Sequence, residues 1–121
     1  SLRRTMVDLF KALAEENRLK ILALLLNQEQ CVCNLETQLN MNQSNVSRHL
    51  IALKQCGIVE SSKSAQWAYY KISEQFKIQH QQLWLYLLEQ MQLAPYKELS
   101  ELNRLDNCSE IKLSILEPNK V

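Results

Sequence analysis

The chain has 121 residues, a net charge of +1, 46% hydrophobic and 22% charged residues, one glycine and two prolines. A single domain is the expectation from that length, and so few turn residues exclude a β-sandwich in favour of a mostly helical chain. No run reaches the ~18 consecutive apolar residues of a membrane span, and no signal peptide is expected.

Four cysteines, Cys31, Cys33, Cys56 and Cys108, are too sparse for the framework of a small secreted domain. A cytoplasmic setting with reduced thiols is expected, where cysteine signifies metal or redox chemistry. Charge is unevenly spread. From Thr37 to Ser73 the only acid is Glu60, against Arg48, Lys54, Lys63 and Lys71, whereas Glu98, Glu101, Asp106, Glu110 and Glu117 fall in the C-terminal stretch. The basic part is a modest electrostatic footprint for nucleic acid, and an uneven solvated face explains it as readily.

Met6, Leu9, Phe10 and Leu13 recur at i, i+3, i+4 and i+7, which predicts an amphipathic helix over 2–14. A second helix is expected from Glu16. Leu19, Leu22, Ala23 and Leu26 line one face and Ile21, Leu24 and Leu25 widen it, so this helix is core nearly all round. A short third helix spans about 33–39, with Leu35 and Leu39 inward. Asn40-Met41-Asn42 is the short connection of a helix-turn-helix. Asn42 is a good N-cap for a fourth helix that Gly57 stops. Val46, Leu50 and Leu53 form its buried stripe and His49 a packing position at the edge. Ser44, Ser47, Arg48 and Ile51 face the other way.

Residues 58–62 and 67–72 are β-branched and aromatic and predict a two-stranded wing. Its connection, Lys63-Ser64-Ala65-Gln66, lacks the Gly or Asn of tight hairpins, so a longer or irregular turn is expected. One long helix is predicted over 74–92. Its broad apolar face includes Phe76, Leu83, Trp84, Leu87, Leu88 and Met91, and Leu85, Tyr86 and Leu93 add more. That exceeds what a small domain hides alone and points to a dimer interface. Another helix is possible over 96–106. The fold class is therefore mainly α with a small β-hairpin wing, a winged helix-turn-helix, with a DNA-binding and dimerisation domain over 1–92 and an extension over 93–121.

Two motifs carry chemistry. Cys31-Val32-Cys33 suits a soft, thiophilic ion. Residues i and i+2 point the same way on an extended segment and about 200° apart on a helix, so the pair grips one ion only if the chain is extended or unwound there. A helix N-terminus favours thiolate. Downstream, Gln43, Ser44, Asn45, Ser47 and Arg48 are short or forked donors suited to groove edges and phosphates, placed where a recognition helix meets bases. Lys63 at the wing tip and Lys71 would meet phosphates or the minor groove, though ordinary solvated surface explains Lys63 equally well and Lys71 better. There is no Gly-rich phosphate loop and no Cys-x-x-Cys on a βαβ unit, so an enzyme is not expected.

Six segments in order resemble the ArsR/SmtB family of winged-helix repressors. They are Phe10-Lys11-Ala12-Leu13-Ala14, Asn17-Arg18-Leu19-Lys20-Ile21-Leu22, Cys31-Val32-Cys33-Asn34-Leu35, Gln43 to Leu50, Leu53 to Val59, and Trp67 to Ile72. The resemblance covers about residues 5–92. It implies a homodimer on inverted-repeat operator DNA that lets go when an inducer binds. The Cys-Val-Cys segment resembles the family's arsenite and antimonite site and also its cadmium and lead site, which makes As(III) or Sb(III) the expected inducer. A Cd/Pb-responsive or thiol-redox or sulfide-responsive repressor is the alternative. The arsenic-type site usually has a third cysteine where this chain has Glu36. The family's zinc-type site needs two spaced histidine and carboxylate pairs, and 74–92 offers only His80 and Glu89. The expected ligand set is Cys31, Cys33 and Cys108. Cys56 is read as core, and water, an external thiol or two-coordinate binding remains open for the third position.

Overall fold

The computed structural model describes residues 5–102. Helix α1 (Met6–Leu13) begins at a reciprocal cap, in which the Asp8 amide donates to Thr5 Oγ1 and the Thr5 amide donates to the Asp8 carboxylate. That cap satisfies two amides that the first turn otherwise leaves open. Leu9, Ala12 and Leu13 are buried, while Met6, Val7 and Phe10 stand exposed. Helix α2 (Glu16–Leu25) buries five consecutive residues, Ile21 to Leu25, as its all-round apolar pattern requires.

Strand β1 (Gln30–Cys31) comes next and leads straight into α3 (Val32–Leu39). Asn40 closes α3 in the left-handed conformation, φ 55°, a geometry Asn tolerates through its short polar side chain. Asn42 then caps α4 (Gln43–Gln55) by accepting from the Asn45 amide at 2.9 Å. Gly57, at φ 77°, ends the α4 segment where a side chain would be strained. Val46, Leu50 and Leu53 are fully buried, as the periodicity predicts, and His49 is buried with them rather than lying at the edge.

The wing departs from expectation in three ways. Strands β2 (Val59–Ser64) and β3 (Trp67–Ile72) pair out to Ser64 opposite Trp67, so the turn is only Ala65-Gln66, with Ala65 at φ 56°. Lys63 therefore lies in the ladder opposite Ala68, one pair before the turn. The sheet also has three strands, in order β1-β3-β2, because Gln30 pairs with Tyr70 and Cys31 with Tyr69. Two residues show no periodicity by which a strand can be read.

The long C-terminal helix is broken. It forms α5 (Glu74–Gln79) and α6 (Gln81–Gln90), separated by His80 at φ −122°, ψ 51°. The amide of His80 still donates to the Phe76 carbonyl, and its carbonyl accepts from the Trp84 amide, so the hydrogen-bond ladder nearly spans the break and no Pro or Gly marks it. A last helix, α7 (Tyr96–Ser100), returns against α2, and Tyr96 and Leu99 touch the core. One core joins α1–α4 to Ile58, Val59 and Ile72 of the wing region and to Phe76, Leu87 and Met91. Among the described residues, no helix is long and apolar enough to cross a membrane.

Candidate metalloid and nucleic-acid site

Cys31 sits where the backbone changes state. It ends β1 and serves as N-cap of α3, extended at φ −81°, ψ 157°, while Cys33 is already in the first helical turn. The extension that an i, i+2 pair needs is thus supplied by the strand. The two sulfurs lie 3.0 Å apart and are 3% and 6% exposed. Trp67 and Tyr69, alternate residues on one face of β3, pack against them, with Tyr69 directly across the ladder from Cys31. Behind the pair, Asn34 donates to Gln30, and Gln30 Nε2 donates to the Leu24 carbonyl. Asn34 Oδ1 is buried without a hydrogen-bond partner.

The sulfurs open onto a groove of about 240 Å³ whose walls include Glu36, Gln43, Ser47 and Trp67. Glu36 is one turn on from Cys33, on the same side of α3. Among the described residues, no group of three or more His, Cys, Asp or Glu side chains is arranged to hold an ion, and Cys33 is disulfide-bonded, so the two sulfurs become a donor pair only when Cys33 is reduced. Soft sulfur donors fit As(III), Sb(III) or Cd(II) far better than hard cations. Cys56 is elsewhere. Half-buried against the core, its thiol donates to the Asp8 carbonyl at 3.6 Å, in keeping with the packing role expected of it. Cys108 lies outside the described residues.

On α4, Gln43, Ser44, Asn45 and Arg48 are exposed and Ser47 is half-buried. Gln43 and Ser47 belong to this helix and also line the cysteine groove. Lys63 is exposed on the wing, and Lys54 is held by Ser61, Nζ to Oγ 2.6 Å. The sequence reading missed the groove that joins the cysteines to the fourth helix, and missed Trp67 as a neighbour of the sulfurs. The period-2 pattern of 67–72 was the available signal, but it lacks a register to Cys31.

A second buried contact steadies α4. Arg18 Nε donates to His49 Nδ1 at 3.2 Å, and Arg18 Nη1 donates to the carbonyls of Lys11 and Ala12. His49 is 1% exposed. Burial lowers its pKa, the Glu15 carboxylate opposes that shift, and the Arg48 and Arg18 charges reinforce it. Burial alone would raise Glu15, but the Arg18 and Asn17 amides, with the His49 and Arg18 charges, hold it below its ordinary value.

The sequence signature described as "Bacterial regulatory protein, arsR family" matches residues 15–61. The chain is 43% identical over 68 residues to the arsenical resistance operon repressor of Escherichia coli, covering 55% of this chain and 58% of that protein. It thus spans little more than half the length of that relative. It is similar to HlyU of Vibrio cholerae, a protein named as a transcriptional activator; in the solved HlyU structure the identity is 38% and the TM-score 0.57, over 66% of this chain and 88% of that one. The homodimeric winged helix-turn-helix domain Mb0332 of Mycobacterium bovis, described as a possible ArsR-family regulator, matches with 32% identity and a TM-score of 0.59, over 71% of this chain and 81% of that one. The chain belongs to the ArsR family of winged helix-turn-helix regulators. That is a family of transcriptional regulators and not of enzymes.

The buried histidine gives a pH dependence with a definite sign. The folded pKa of His49 is below the unfolded one, so between the two values the unfolded chain binds more protons and stability falls as pH falls. The loss begins near the ordinary histidine value of about 6.5. The depressed Glu15 adds a further loss in the acid range below its own ordinary value, again as pH falls. Urea midpoints followed from about pH 7.5 down to about 5 should decline in the wild type and decline less in His49→Gln. Parallel curves for the two proteins would remove His49 as the source.

Proposed function

We propose that the protein is a homodimeric transcriptional repressor that binds operator DNA through α4 and the wing, and releases it when As(III) or Sb(III) binds the sulfurs of Cys31 and Cys33. One observation carries this reading: the two cysteines line the same groove as Gln43 and Ser47 of the fourth helix. An ion bridging the sulfurs fixes the start of α3 and places new bulk beside the helix that meets DNA. The name of the Escherichia coli relative supports arsenic as the signal. Cys108 is the proposed third thiolate.

Gln43, Ser44, Asn45, Ser47 and Arg48 are assigned to the DNA face, with Lys63 on phosphate from the wing. Exposed Met6, Val7 and Phe10 on α1, and Leu85 and Tyr86 on α6, supply apolar surface for a second copy, and the neighbour Mb0332 is homodimeric. A stable monomer by sedimentation at micromolar concentration would remove the dimer.

Arg48→Ala should weaken operator binding by about 1–3 kcal/mol if the guanidinium reads a base, with folding intact because the side chain is exposed. A phosphate-only contact predicts instead an even loss on all sequences and a shallower salt dependence. Wild-type affinity would exclude Arg48 from the interface.

Cys31→Ser and Cys33→Ser should still bind DNA and no longer respond to arsenite, since neither sulfur is needed on the DNA face. The coupling required is of the usual size, about 1–3 kcal/mol. Release of labelled operator titrated with arsenite checks this. A Cys31→Ser, Cys33→Ser double variant that responds like the wild type would sink the metalloid assignment while leaving the DNA-binding one.

A further inference from the structure

The outward face of α4 has an apolar centre. Val46, His49, Leu50 and Leu53 are buried, and at about 100° per residue the direction opposite that stripe falls among Ser44, Ser47, Arg48 and Ile51. Ile51 is 50% exposed. It stands one turn beyond Ser47 and Arg48 and two turns beyond Ser44, on the same side of the helix. The 13 residues of α4 include Arg48 and Lys54 and no Asp or Glu, so the face that carries Ile51 is complementary to a polyanion.

A single exposed aliphatic side chain is ordinary on a protein surface. Ile51 differs by its position. Between Ser44 and Ile51 the helix axis advances about 10 Å, less than the width of about 12 Å of a DNA major groove. A groove that admits the first turn of α4 therefore also takes in Ile51, and docking removes that side chain from water. We infer that Ile51 reads the C5-methyl group of a thymine and so sets a thymine preference in the operator. The inference rests on the proposed DNA-binding reading and deepens it from a helix to one base.

The chemistry of the groove chooses the base. Base edges there present hydrogen-bond donors and acceptors, and only thymine adds an apolar group. Ile51 has neither donor nor acceptor on its side chain. Against guanine O6 and N7, or against the amino group of cytosine or adenine, it displaces water and leaves those atoms unpaired, which costs affinity. Against a thymine methyl it buries apolar surface on both partners. Selection is thus attraction to thymine together with rejection of the other bases.

The test uses the full chain and a duplex enriched by the wild type from a randomised double-stranded library. Each thymine of that duplex is replaced in turn by uracil, which removes the methyl and keeps the base pairing. One thymine position in a half-site should weaken wild-type binding by about 4-fold, the worth of one buried methyl-sized group. Ile51→Ser should bind the thymine and uracil duplexes alike, and Ile51→Val, which keeps a branched apolar tip, should retain the difference. Enrichment repeated with Ile51→Ser should lose the thymine at that position and keep the rest of the site. Both variants should keep the urea midpoint and sedimentation of the wild type, because the side chain is exposed.

Uracil sensitivity that survives Ile51→Ser, or a duplex in which no thymine methyl matters, would overturn the inference. So would a change of oligomeric state in Ile51→Ser, which would place the side chain between copies of the chain. A library that yields no enriched sequence removes the DNA-binding reading and the inference with it. An enriched sequence bound without methyl dependence rejects the role of Ile51 and keeps the DNA-binding reading.

Discussion

The two-residue ladder between β1 and β3 is the constraint on which the rest of the structure turns. Pairing Cys31 with Tyr69 holds the backbone extended up to the first residue of α3. Helix begins at Val32, so Cys33 is carried around the first turn and its sulfur returns to within 3.0 Å of that of Cys31. Without the ladder the helix has no fixed start, and a pair two residues apart would diverge by about 200°. The same ladder brings Trp67 and Tyr69 over the sulfurs and joins the wing to the helical body. One short piece of β structure therefore sets the donor geometry, its aromatic cover and the attitude of the wing.

The α3–α4 corner makes the neighbouring function possible. The left-handed Asn40 and the Asn42 cap turn the chain sharply, so the first residues of α4 come back beside the first residues of α3. That is why Gln43 and Ser47 share a groove with residues some ten to fifteen positions earlier. Helix packing below this corner is conventional: Leu35, Val46, Leu50 and Leu53 are all fully buried. The corner is thus seated on a rigid floor while its upper surface stays open to ligands.

Features written in helical spacing were legible in the sequence. The stripe Val46, Leu50, Leu53, the all-apolar second helix, the Asn42 cap and the Gly57 stop follow from side-chain chemistry within one turn. Features set by long-range pairing were not. Gln30-Cys31 is too short to show a period, and only its partners in β3 make it a strand. The tight turn at Ala65 is held by the ladder on both sides despite a residue that is poorly suited to positive φ. The break at His80 lacks a helix breaker. The cysteine pair itself was visible, and so was the condition it had to meet, but its meeting with Trp67 and with the fourth helix depended on registers the sequence does not carry.

Arg18 has a consequence beyond the histidine it steadies. A guanidinium keeps its charge at any ordinary pH and presents its donors in a fixed plane. Here the plane reaches His49 on α4 and two carbonyls at the end of α1. If α4 turns about its axis, either the histidine loses its donor or the last turn of α1 must follow. Arg18, carried on α2, therefore ties the last turn of α1 to the buried face of α4. That polar tie lies beside the shared core of the two helices, in which Leu9 and Leu13 join Val46, Leu50 and Leu53, and it fixes their relative rotation with a direction that apolar packing alone does not have.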